Sequence, residues 1–225
     1  MTAHRASLRR SFAYSGTSLH ERQLQQELRA ALRVVARRQP PAVLLDPAAR
    51  PVTWERDVRP VIEGRCAVCH ACYDAPCQLK LSSYEGLERG ANPAKVYDGA
   101  RMKAAPPTRL FIDAHGPDQW RALGFHPVMS PAPAPDAAAL GQSVLYRMLR
   151  MKQLHPQPLT GMLPDAVTVD LDRAQVCTRE ADFDAFERKN PLWGMPYGMP
   201  NLAPEEYRVL VQWLAQGAPA PAEPA

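Results

Sequence analysis

Apolar positions recur with a helical period along much of this chain. Leu24, Leu28, Ala31, Leu32 and Val35 fall three and four residues apart between arginines, which predicts an amphipathic helix over 18–38. Pro40, Pro41, Pro47 and Pro51 follow as a stiff linker. A second helix is predicted from Thr53 as N-cap, with Trp54, Val58, Val61 and Ile62 on one face and Gly64 closing it. Ser82 and Glu85 make a capping-box pattern for a short helix ending at Gly90. Residues 91–135 are rich in proline, with Phe111, Trp120, Phe125 and Pro127 as scattered anchors. Asp136 is expected to cap a helix through Lys152, whose Val144, Leu145, Met148 and Leu149 face inward. A short helix is predicted from Asp182 to Arg188. The last helix has Pro204 at its first position, Glu205 and Glu206 in the first turn, and Gly217 past its end. Its inward face is Tyr207, Leu210, Val211 and Leu214, with Trp213 on the flank. No internal repeat and no strand meander interrupt this pattern, so the expected fold class is mainly α with long Pro-rich loops.

Composition sharpens the picture. Twenty-four prolines against twelve glycines favour fixed loops and short helices over a large sheet. An apolar share of 46% allows a real core, and no apolar run reaches the length of a membrane span. Residues 1–38 hold eight Arg against two Glu, a net of +6, while the remainder carries nineteen Lys and Arg against twenty-one Asp and Glu, a net of −2. The positive excess is therefore N-terminal. A basic helix of this kind suits an anionic membrane surface or a solvated extension packing one stripe on the body. Nothing in the charge pattern points to nucleic acid. Met1 to Gly16 has arginines but no continuous apolar stretch after them, so an export signal is not visible there.

The candidate chemistry lies at Cys66-Ala-Val-Cys69-His70, the c-type haem attachment signature. Two thiols one helical turn apart can each add to a haem vinyl group, and the following imidazole can bind the iron as proximal ligand. Cys66, Cys69, Cys72 and Cys77 also run as C-x2-C-x2-C-x4-C, close to an iron–sulfur run, although the last spacing is one too long and Pro76 lies before the final Cys. Structural zinc usually separates two Cys/His pairs by a dozen or more residues. Haem is the favoured reading, with a cytochrome c-like helical domain built around it. For the second axial ligand, Gly194-Met195-Pro196-Tyr197-Gly198-Met199-Pro200 offers a thioether on a rigid loop. Met195 is favoured over Met199 because its longer approach leaves room to cross the haem face before the last helix. His115, His126 and His155 are weaker alternatives. In an oxidising compartment Cys72 could pair with Cys77, or one of them with Cys177.

Longer blocks then resemble a known family. Cys66-Ala-Val-Cys69-His70-Ala-Cys72-Tyr73-Asp74-Ala75-Pro76-Cys77-Gln78-Leu79-Lys80-Leu81 is similar to the haem region of bacterial fatty acid cis/trans isomerases. Val96-Tyr97-Asp98-Gly99, Thr108-Arg109-Leu110-Phe111-Ile112-Asp113-Ala114, Gly124-Phe125-His126-Pro127-Val128 and Gly194-Met195-Pro196-Tyr197 extend the likeness, from about Val52 to Gly217. The resemblance implies a periplasmic haem c enzyme that converts cis-unsaturated acyl chains of membrane phospholipids to trans. Cys66, Cys69 and His70 take the family's haem positions, and Met195 the distal one. Family members extend well beyond the haem domain, which implies a truncated form here, with a further catalytic region or a redox partner. The rival classes are an electron carrier, a haem module serving another chain, and an iron–sulfur protein. The expected organisation is a basic helix and linker over 1–51, a haem domain over 52–217 and a Pro/Ala tail over 218–225.

Overall fold

A computed structural model of the chain describes residues 23, 26, 50–96, 108–130, 133, 137–157, 160, 162–163, 165, 167 and 176–222. The chain divides into two compact units, Met1–Gln39 and Pro40–Ala225. In the first, Gln23 and Gln26 are helical and exposed. The rest of the helix expected over 18–38, most of the proline linker, the Tyr97 block and the Asp136 cap lie outside the described residues.

The second unit is helical, as the periodicity predicts. A π-helical turn at Trp54–Val58 runs into α1 (Arg59–Arg65), followed by α2 (Ala67–His70), a 3-10 turn at Pro76–Gln78, α3 (Tyr84–Arg89) and α4 (Pro117–Ala122). Then come α5 (Ala137–Leu140), α6 (Val144–Leu154), α7 (Phe183–Lys189) and α8 (Pro204–Ala215). Extended pairing among the described residues amounts to isolated bridges at Ala91–His126 and Leu110–Ala114.

A main core holds the unit together. The helix leading to the cysteines buries Trp54, Val58 and Ile62 against α8, which buries Tyr207, Leu210, Val211 and Leu214. Trp213 is not on the flank as its spacing suggested. It is fully buried, 5.7 Å from the Trp54 ring and 6.4 Å from Tyr84, while Trp54 meets Tyr84 edge-on at 5.6 Å. Such aromatic pairs contribute about 0.5–1.5 kcal/mol each beyond their buried area. The Trp213 indole N–H donates to Pro219 O at 3.2 Å, Tyr84 OH donates to Ala218 O at 3.1 Å, and Val52 N–H donates to Gln216 Oε1 at 3.1 Å. The chain following α8 is thus bonded to Trp213 and Tyr84, and its last turn to the strand-like entry at Val52.

Local signals hold with corrections. Thr53 occupies the N-cap, but its hydroxyl and backbone N–H donate to Asp57, which also takes Arg50 and Arg56. Those two guanidinium partners hold the Asp57 carboxyl far below the usual carboxylate range. Gly64 lies inside α1, which continues to Arg65. The cap of α3 is Ser83 instead of Ser82, because Ser83 Oγ accepts from Gly86 N–H. The expected single helix through Lys152 is broken between α5 and α6. Ser143 Oγ accepts from Tyr146 N–H to start α6 and donates to Val128 O at 3.1 Å, and this fixed cap ends the preceding turn. Phe111 and Pro127 are not anchors. Phe111 is 63% exposed in a tight turn closed by the Arg109–Asp113 ion pair, and Pro127 is also exposed. Trp120 and Phe125 do form a second small core.

Candidate functional site

The cysteine–histidine segment is wound as one short turn. Cys66 N–H donates to Ile62 O at 2.9 Å, so the segment continues from α1, and His70 N–H donates back to Cys66 O at 3.0 Å. Cys66 and Cys69 therefore lie a turn apart, with His70 just beyond. Arg65 anchors this turn to the start of α8. Its Nε and Nη2 donate to the Glu206 carboxylate at 3.0–3.1 Å, and Glu206 also accepts from Ala203 N–H at 2.7 Å. The Arg65 guanidinium is the main reason that the Glu206 carboxyl sits below its ordinary range.

His70 is clamped. The imidazole is 8% exposed, and its Nδ1 lies 3.0 Å from Leu79 O, which can only accept. That carbonyl assigns the proton to Nδ1 and leaves the lone pair on Nε2. Leu81 N–H donates to His70 O at 2.7 Å, so residues 79–81 hold both the ring and the backbone of His70. Burial pushes the His70 pKa below its usual value, partly offset by the Leu79 carbonyl. A neutral imidazole, oriented by a second hydrogen bond, is the state a metal ligand requires.

The sulfurs differ. Cys66 packs half-buried against the core, and burial pushes its thiol up to about 12. The surroundings penalise a bare thiolate there, whereas a thioether carries no charge. Cys69 and Cys72 are exposed. Cys77 and Cys177 form a disulfide, with Cα atoms 5.4 Å apart and a sequence separation of 100. This removes the fourth thiol of the iron–sulfur run. Among the described residues, no three His, Cys, Asp or Glu groups converge to hold a metal ion. A donor set of paired thiols and one oriented imidazole fits a covalent haem, and it does not fit a four-thiolate cluster.

A polar network supports the loop after His70. The Gln78 amide donates to Ala94 O at 2.8 Å and accepts from Thr108 Oγ1 at 2.9 Å. Tyr73 OH accepts from Thr108 N–H at 3.1 Å. Arg89 is 1% exposed, and its guanidinium donates to Thr108 O at 2.6 Å and Gln78 O at 2.5 Å while lying over Trp120 and Phe125. Burial lowers the Arg89 pKa to about 10, which still leaves it charged at neutral pH. Through this network the Tyr73, Thr108 and Phe125 blocks of the sequence become one scaffold beneath the His70 loop. Arg109 and Asp113 pair with each other at the surface.

The methionine loop is docked on α6. Met195 N–H donates to Met148 O at 3.1 Å, and the Met195 side chain packs half-buried against the same core that Cys66 touches. The Met195–Pro196 peptide is cis, and Gly198 has φ +66°. Met199 is half-buried in the turn before α8. Gly194 is pressed on α6 so closely that a Cβ would lie 2.2 Å from Lys152 N. Gly194→Ala is therefore expected to displace this loop and lower stability by about 1–3 kcal/mol in urea titration. An unchanged unfolding midpoint would show that the loop is not seated there. Of the other histidines, His115 is exposed, and burial pushes His126 and His155 below their usual pKa.

Sequence reasoning missed two buried polar residues beside this loop. Lys152 is 1% exposed, and Gln157 is 7% exposed. Neither the Lys152 ammonium nor either end of the Gln157 amide has a hydrogen-bond partner among the described residues. The signal for Lys152 was in the spacing, since it continues the buried series Leu145, Met148 and Leu149. Gln157 lies past the helix end and carries no periodic signal.

Comparison with known proteins gives one finding. No curated protein and no solved structure matches the chain. A model of the fatty acid cis/trans isomerase (CTI) family matches residues 105–225. That stretch holds the Arg109 turn, the Trp120–Phe125 core, α6, the Met195 loop and α8, while Cys66, Cys69 and His70 precede it. With more than half of its 225 residues inside the match, including the loop and helices packed around the candidate site, this chain belongs to the fatty acid cis/trans isomerase family.

Proposed function

We propose that the Pro40–Ala225 unit is a periplasmic, cytochrome c-like haem domain of a fatty acid cis/trans isomerase, acting on cis-unsaturated acyl chains of membrane phospholipids. The observation that carries this reading is the clamped, buried His70, with Nδ1 held by Leu79 O, directly after two thiols one turn apart. The helix entering the motif packs on the last helix through Trp54, Trp213, Arg65 and Glu206, an arrangement that suits a cytochrome c-like core. The Cys77–Cys177 disulfide supports an oxidising compartment such as the periplasm. No helix among the described residues is long and apolar enough to cross a membrane.

In this proposal Cys66 and Cys69 would hold the haem covalently, and His70 with Met195, favoured over Met199, would ligate its iron. When bound, a ferric haem supplies a centre that withdraws electron density from an alkene, so that the double bond can rotate without net redox change. The chain's own work is positional. Leu79 fixes the imidazole, Arg65 and Glu206 fix the turn of thiols on α8, and Met148 O fixes the loop that carries Met195. Val68, 71% exposed between the cysteines, keeps the surface there apolar.

The test is to export the chain with haem maturation machinery, record its spectrum and mass, and incubate it with cis-lipid vesicles while quantifying trans chains. Sharp Soret and α bands with a haem-sized mass increment and accumulating trans lipid are expected. Intact redox cycling with no trans product would assign the domain to electron transfer or to service of a partner. Met195→Ala should lower the midpoint potential, because a thioether favours the ferrous state. A potential unchanged by Met195→Ala and lowered by Met199→Ala would move the distal role to Met199.

A further inference from the structure

We propose that Lys152 and Gln157 form a binding site for a single carboxylate at the end of α6, beside the Met195 loop. Lys152 is 1% exposed, yet its ammonium has no hydrogen bond and no ion pair among the described residues. A buried cation without a partner is unfavourable, and natural structures rarely leave one so. Burial alone lowers the Lys152 pKa, to about 8, which leaves the amine mostly protonated at neutral pH.

Gln157 has the matching deficit. Both its Nε2 and its Oε1 are buried and unpaired. One side chain holds the two residues together: Asn201 Nδ2 donates to Lys152 O at 3.3 Å, and Asn201 Oδ1 accepts from Gln157 N–H at 3.4 Å. Asn201 stands just before α8, so the segment entering α8 is bonded to the end of α6. On the other side, the Gly194 backbone lies against Lys152 N and Cα. Both residues with unpaired donors are thus tied through their backbones to the segment that runs from the Met195 loop to α8.

The ligand class follows from the donors. One positive charge calls for one negative charge, and an ammonium together with an amide N–H would match the two oxygens of a carboxylate. Two sources share that chemistry: a haem propionate, which rests on the haem reading above, and the headgroup of a free fatty acid, which does not. The fatty acid suits a chain of this family, and both residues lie within the matched stretch.

The experiment uses the matured protein and the variants Lys152→Met, Lys152→Arg and Gln157→Leu. Lys152→Met retains the stem of the side chain without its charge, and Gln157→Leu provides a second route if the first fails to fold. Oleate and its uncharged methyl ester are titrated calorimetrically, and the haem propionate bending band is followed by resonance Raman. Oleate affinity about tenfold weaker in Lys152→Met, with the ester unaffected and binding recovered in Lys152→Arg, supports a fatty acid carboxylate. A shifted propionate band and a lower midpoint potential in Lys152→Met, recovered in Lys152→Arg, with oleate binding unchanged, support a haem propionate. Folded Lys152→Met and Gln157→Leu proteins in which neither readout moves would overturn the site. A matured chain of bare polypeptide mass would instead remove the haem reading and leave the oleate arm to decide.

Discussion

Replacing Cys77 and Cys177 together by serine is expected to lower stability by about 4–5 kcal/mol, the chain-entropy value for a closed loop of this length. In a chain of this size that corresponds to a fall in Tm of about 10–20 °C. The bridge spans 100 residues, and the segment it encloses contains the Arg89 scaffold, α6 and the buried Lys152. It also sits one residue before Gln78, whose amide and carbonyl organise the loop behind His70. The same fall should follow from adding reductant to the wild type and should be absent when reductant is added to the double variant. Thiol counting gives an independent check. The chain without haem has three free thiols, Cys66, Cys69 and Cys72, and the haem-loaded chain should have Cys72 alone. Five reactive thiols in unreduced, denatured material would dispose of the disulfide.

His70→Ala has the largest expected effect on chemistry. The ring is held by Leu79 O and its backbone by Leu81 N–H, so truncation removes an oriented imidazole and leaves the backbone turn in place. Thioether attachment through Cys66 and Cys69 should survive, with the mass unchanged apart from the side chain. The Soret band should shift, and trans-lipid formation should fall on the order of 100-fold, or about 2.7 kcal/mol. Added imidazole should restore part of both, since the space left by the ring matches it. A His70→Ala protein with the wild-type spectrum would exclude His70 as the iron ligand.

Both expectations depend on features of unequal legibility. The C-x2-C-H spacing and the proline at the start of α8 are local, and α8 is found where the periodicity placed it, whereas the cap of α3 moved by one residue and the helix expected through Lys152 broke in two. Pairing among Cys72, Cys77 and Cys177 was open, because geometry selects the pair and spacing does not. Trp213 looked peripheral on a helical wheel because the wheel assumes one covered face. Here Trp54 and Tyr84 cover its second side. Phe111 looked like an anchor because it is large and apolar, yet a turn closed by Arg109 and Asp113 holds it outward.

The linear chain by itself determined the helical class, the C-x2-C-H spacing and the family to which the chain belongs, because each is written in contiguous residues and their periods. Tertiary structure alone decided that Leu79 orients His70, that Cys177 takes Cys77, and that Lys152 and Gln157 are buried without partners. Each of these depends on which distant segment fills the space around a side chain. Burial and hydrogen-bond satisfaction are properties of that three-dimensional neighbourhood and leave no fixed spacing in sequence.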